Sequence, residues 1–121
     1  MTPEQKKVLE YFKITKMKIE ETPTLPDEEV MRDISIQLGQ EFDELKEAFV
    51  YKDIGEIADA LGDLLYIING AATTCGIDLE PIFNEVHRSN MARVSPNLNA
   101  PKIWDILKTQ KSLNDPLNSL E

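Results

Sequence analysis

Apolar residues recur every third or fourth position through most of this chain, and no stretch alternates apolar with polar as a half-buried strand does, so the pattern predicts helices throughout. The clearest stripe runs through Met31, Ile34, Leu38, Phe42, Leu45 and Phe49 and predicts a helix from Pro26 or Asp27 to about Tyr51. A short YKD turn leads to a second long helix, from about Asp53 to Cys75, with Ile54, Ile57, Leu61, Leu64, Leu65, Ile68 and Ala72 on its inner face and Gly76 as its stop. So short a connection makes the two an antiparallel hairpin. Ahead of them, Thr2, Pro3 and Gln5 have the form of a capping box with proline at the first helical position, opening a helix to about Lys18 with Val8, Phe12 and Ile19 inward; the segment ETPTLPDEE breaks it. Asp78 is the N-cap candidate of a helix through PIFNEVHRSNMAR, where Pro81 is tolerated in the first turn. Past Val94 the signals weaken to one cluster, Ile103, Trp104, Ile106 and Leu107, which predicts a short docking helix, and the last dozen residues are expected to fray.

The expected fold class is therefore all-α, a bundle of four to five helices. Its 121 residues suit one domain spanning 1–121, with an ordered core over about 3–94 and a weakly specified tail over 95–121. Composition narrows the classes further. With 41% hydrophobic and 29% charged residues and no apolar run near the roughly 20 residues a membrane helix needs, no membrane role is expected. The start MTPEQKKVLE lacks the basic-then-apolar plan of a secretory signal and Cys75 has no intrachain disulfide partner, so the expected location is cytoplasmic. A net charge of -9 repels a phosphate polymer, which argues against general nucleic-acid binding. A small anionic substrate stays compatible, because divalent cations reverse the local sign of an acidic site.

The acids are patterned. At about 100° per residue, Glu41 falls at the edge of the stripe centred on Leu38 and Glu44 lies one step further round, whereas Gln40, Asp43 and Glu47 are expected to point away. Such a carboxylate pair offers two oxygens to one hard cation. On the following helix Glu56, Asp59, Asp63 and Tyr66 form a stripe nearly opposite the apolar one; if both faces are covered, the carboxylates demand a compensating cation. The competing reading is a solvated acidic face that gives solubility alone.

The strings QEFDELKEA and EIADALGDLLY resemble the metal-binding pattern of MazG-like all-α nucleoside triphosphate pyrophosphohydrolases, an E-x-x-E helix followed by an E-x-x-D helix, and NEVHRSNMAR resembles small stand-alone members of that superfamily. The resemblance covers about residues 27 to 94 and places Glu41 and Glu44 on the E-x-x-E pair, with Gln40 where a further glutamate often stands. On the second helix two registers stay open. The letters E-x-x-D select Glu56 and Asp59, whereas the ending of an aspartate before two apolar residues and an aromatic selects Asp63, the favoured choice, with Asp59 replacing the glutamate expected at Ala60. The resemblance further implies Asn90, with Arg93 or Arg88, as metal or phosphate contacts. Asn90 also falls within the predicted stripe of Leu79, Phe83 and Val86, where a buried interhelical hydrogen bond explains it equally well. His87, the sole histidine, reads more simply as a packed or surface residue than as a catalyst.

The implied activity is hydrolysis of a nucleoside triphosphate to a monophosphate and pyrophosphate, with Mg²⁺ (Mn²⁺ as a substitute) on Glu41, Glu44, Asp63, Asp59 and Glu56, in a homodimer or homotetramer. A ferritin-type di-iron bundle is disfavoured, since Asn84 stands where an E-x-x-H motif ending at His87 requires glutamate. A non-catalytic acidic helical module that assembles through its apolar stripes is the remaining alternative.

Overall fold

The computed structural model describes residues 1–94 and 103–115, and within them the chain is all-α, with five helices and no strand. Helix α1 spans Pro3–Thr15, α2 Glu28–Val50, α3 Ile54–Thr74, α4 Leu79–Ala92 and α5 Ile103–Lys108. Local chemistry sets several of these ends. Thr2 caps α1 by accepting from the Gln5 N–H at 3.1 Å, and Asp53 and Asp78 accept from Glu56 N and Glu80 N at the starts of α3 and α4. Asp27 occupies the N-cap of α2 without a side-chain bond to the helix backbone, its carboxylate accepting from Lys18 Nζ at 3.4 Å instead. Helix α1 stops at Thr15, earlier than the expected Lys18, because Lys16 turns left-handed (φ 57) and the Met17 N–H closes back on Phe12 O.

Helix α3 is the centre of the fold, with α2 packed antiparallel on one side and α1 on another. The α1–α3 crossing is close: a Cβ on Gly70 would come within 3.1 Å of the Phe12 ring. Beyond α3, Gly76 takes φ +70 and turns the chain so tightly past the segment before α2 that any Cβ would collide with the Thr22 carbonyl. The chain bends by 118° from α3 into α4. No single described helix is long and apolar enough to cross a membrane.

Gln5 joins the pieces at this end. It is fully buried, its amide donates to Ile77 O at 2.6 Å, and its carbonyl accepts from Leu79 N at 2.9 Å. The glutamine of the capping box thus reaches across to the α3–α4 turn. The tail closes the same end. Gln110 exchanges two hydrogen bonds with the Asp78 backbone. Leu113, 1% exposed, packs with Met1 and Leu9, and its N–H donates to Glu21 O. The fraying expected of the last dozen residues therefore does not hold for Leu113; residues 116–121 lie outside the described chain, as do 95–102 of the tail.

The apolar stripes are only half consumed. Val8, Phe12, Leu64 and Ala72 are buried as expected, but Ile54, Leu61, Leu65 and Ile68 on α3 and Phe42 and Phe49 on α2 are exposed. One face of α3 meets α1 and α2 while the face centred on Leu61 and Leu65 is left to solvent. On α4, Phe83 and Val86 are exposed and so is Asn90, so the stripe thought to bury that amide is a surface stripe in the single chain.

Candidate active site

Two antiparallel helices build the site. Glu41 and Glu44 sit one turn apart on α2, and Asp63 faces them from α3, each offering an oxygen within 4.8 Å of the others. Glu41 is half-buried, and its Oε2 is shielded from solvent with no hydrogen-bond partner. Such an atom in a folded protein calls for a ligand or water. Burial, then the charges of Glu44 and Asp63, then the hydrogen bond that protonated Glu41 donates to Glu44 and the charge of Asp59, push the Glu41 carboxyl above the ordinary glutamate value. A divalent cation removes that penalty, and three carboxylate oxygens leaving room for water and phosphate match what Mg²⁺ accepts.

Nearer the hairpin turn the groove widens into a cavity of about 350 Å³ walled by Glu44, Glu47, Tyr51, Glu56 and Asp59. Asp59 and Glu56 therefore line the space beside the three converging acids, at successive turns of α3. Glu47, expected to point away, faces this cavity; a small rotation of α2 in the hairpin is enough to bring round a residue one turn beyond Glu44. Ala60, where the superfamily pattern expects glutamate, is buried in the wall.

In the other direction the groove continues into a second cavity, of about 520 Å³, bounded by Tyr11, Phe12, Gln37, Tyr66, Ile67 and Gly70. Sequence reasoning passed over Gln37 and Tyr11 here. The signal was present, since Gln37 is one helical turn before Glu41 on the same face of α2, but Tyr11 needed the α1–α3 packing to place it. Tyr11 meets Tyr66 edge-on, with ring centroids 6.0 Å apart and planes at 77°.

The α4 residues stand apart. Arg88 grips Glu85 through two hydrogen bonds of 3.0 Å, which lowers the Glu85 pKa. Asn90 and Arg93 are exposed near the end of α4, and among the described residues none of the three lines the cavity beside the carboxylates.

An all-α frame with acids converging from a helical hairpin is what the resemblance to MazG-like pyrophosphohydrolases implies. The chain matches the family model described as phosphoribosyl-ATP pyrophosphohydrolase over residues 8–90, well over half its length, and it belongs to that family of hydrolases acting on phosphoric anhydrides. Among the curated proteins none matches it. Membership in an enzyme family decides against the non-catalytic helical module.

Proposed function

We propose that this chain is a Mg²⁺-dependent nucleoside triphosphate pyrophosphohydrolase that converts a (deoxy)nucleoside triphosphate to its monophosphate and pyrophosphate. The convergence of Glu41, Glu44 and Asp63 around a buried, unpartnered carboxylate oxygen carries this reading. These three acids hold the cation, with Mn²⁺ as an alternative. Bound there, it supplies charge neutralisation of the phosphates and a lowered pKa for water.

Asp59 and Glu56, at the next turns of α3, orient the attacking water and take its proton. The water oxygen bonds to the α-phosphorus, the bond from that phosphorus to the α–β bridging oxygen breaks, and pyrophosphate carries off the electron pair. Asn90, Arg93 and Arg88 are the proposed phosphate contacts, for which Arg88 has to exchange part of its grip on Glu85. The exposed apolar face of Phe42, Leu61, Leu65 and Ile68 supports assembly with further copies, as a homodimer or a homotetramer.

The family match favours a second substrate, phosphoribosyl-ATP, cleaved by the same chemistry. Both are tested by product analysis across nucleoside triphosphates and phosphoribosyl-ATP with and without Mg²⁺. The proposal expects pyrophosphate and a monophosphate in equal amounts only with the cation; orthophosphate as the first product, or no turnover, contradicts it.

A further inference from the structure

The 520 Å³ cavity lies along the same two helices as the converging carboxylates, one turn away from them, and none of the three acids lines it. Gln37 stands one turn before Glu41 on α2, Tyr66 and Ile67 one turn beyond Asp63 on α3, and the third side is closed by Tyr11 and Phe12 of α1 and by Met17 just past its end. A helical turn separates the two sites by about 6 Å along the axis. That is the reach from an α-phosphate across one ribose to its base. The volume suits a nucleoside, and the floor is kept open by Gly70, whose Cβ would press on the Phe12 ring.

Charge separates the candidate substrates. None of the side chains lining this cavity is charged, and Gln37 supplies its one side-chain amide among the described residues. Phosphoribosyl-ATP carries a second sugar phosphate on its base, a group that needs cations or clustered N–H donors once it leaves water. An unmodified base asks only for apolar walls and a donor and acceptor on its edge, which one amide presents together.

Resting on the proposed triphosphate chemistry at Glu41, Glu44 and Asp63, we infer that this cavity receives the base and sugar of a nucleoside triphosphate lacking a second phosphate, with Gln37 reading the edge of the base. Gln37 is thus a specificity-determining residue. The exposed position of Gln37 on α2 means that Gln37→Leu leaves the fold intact.

The test measures kcat/KM for pyrophosphate release from the common ribo- and deoxyribonucleoside triphosphates and from phosphoribosyl-ATP, in the wild type and in Gln37→Leu. The expected result is a best nucleoside triphosphate at least about tenfold better than phosphoribosyl-ATP, and a spread among bases that narrows about tenfold in Gln37→Leu while the Mg²⁺ concentration for half activity stays unchanged. Turnover that favours phosphoribosyl-ATP, or a Gln37→Leu variant that lowers every substrate equally, overturns this assignment and leaves the metal chemistry standing. No Mg²⁺-dependent release from any compound overturns the underlying reading and this inference with it.

Discussion

Gln5 and Glu41 both bring a polar side chain to the packed side of an amphipathic helix, and the fold treats them in opposite ways. Gln5, at the end where α1 meets the α3–α4 turn, is wholly enclosed, and both ends of its amide are hydrogen-bonded to backbone groups. Glu41, in the groove between α2 and α3, keeps one oxygen shielded and unpartnered and faces the charges of Glu44 and Asp63. A buried polar group that is fully satisfied specifies a structure; one left unsatisfied among like charges stores a cost that binding relieves. One end of the molecule is thus built for stability and the groove for a ligand.

The largest effects are expected in the groove. Glu41→Gln, Glu44→Gln and Asp63→Asn should each lower kcat/KM for pyrophosphate release by about a hundredfold or more with far-ultraviolet circular dichroism unchanged. Asp59→Asn should lose less and Glu56→Gln less again, and extra Mg²⁺ should partly rescue a lost ligand but not a lost base. Equal damage from Glu56→Gln and Asp59→Asn, with Asp63→Asn active, would move the cation one turn toward the start of α3. At the other end the signature reverses. Gln5→Leu orphans Leu79 N and Ile77 O, so denaturant titration should show a loss of about 2–4 kcal/mol, while kcat of the folded fraction is kept. Gly76→Ala should cost about as much, from the left-handed backbone and the Thr22 carbonyl. The smallest effect belongs to Glu47→Gln, a few-fold change at most, since Glu47 faces the adjacent cavity without joining the three converging oxygens.

Much of this contrast was legible in the chain. Helix caps at Thr2, Asp53 and Asp78 are local signals, and helical periodicity sets Glu41 and Glu44 beside the seam once a three-residue turn makes α2 and α3 antiparallel, whereas the choice of Asp63 on α3 came from the superfamily resemblance. What the sequence did not disclose depends on contacts between distant segments. The capping-box pattern of Gln5 suggests a bond to its own helix, but its partners lie at residues 77 and 79. Periodicity groups Leu61, Leu64 and Leu65 on one inner face of α3, and only the packing of α1, drawn in at Gly70, and of α2 decides that Leu64 is buried while Leu61 and Leu65 face outward. Glu47 and Leu113 were misjudged for the same reason, since hairpin rotation and tail docking leave no periodic trace.

In the proposed cation site a proton would compete with the metal for Glu41, whose pKa is raised in the metal-free fold. Unfolded, the carboxyl ionises near 4.5; folded without metal, it ionises higher, so the native state holds the extra proton between the two values. Metal-free stability contributed by this group is therefore present below 4.5 and lost as pH rises through the raised value. Activity should run the other way, falling as pH drops through that same value, and the Mg²⁺ requirement should rise with it.

The most direct test is thermal melting at neutral pH of the wild type and Glu41→Gln, each with and without Mg²⁺. Without the cation, Glu41→Gln should melt higher, because the substitution removes a charge that Glu44 and Asp63 repel. With Mg²⁺ the order should invert, the wild type gaining stability through bound metal and the variant gaining little. A variant that melts below the wild type without metal, or equal shifts in both proteins on adding Mg²⁺, would contradict the assignment of Glu41, Glu44 and Asp63 as the cation site.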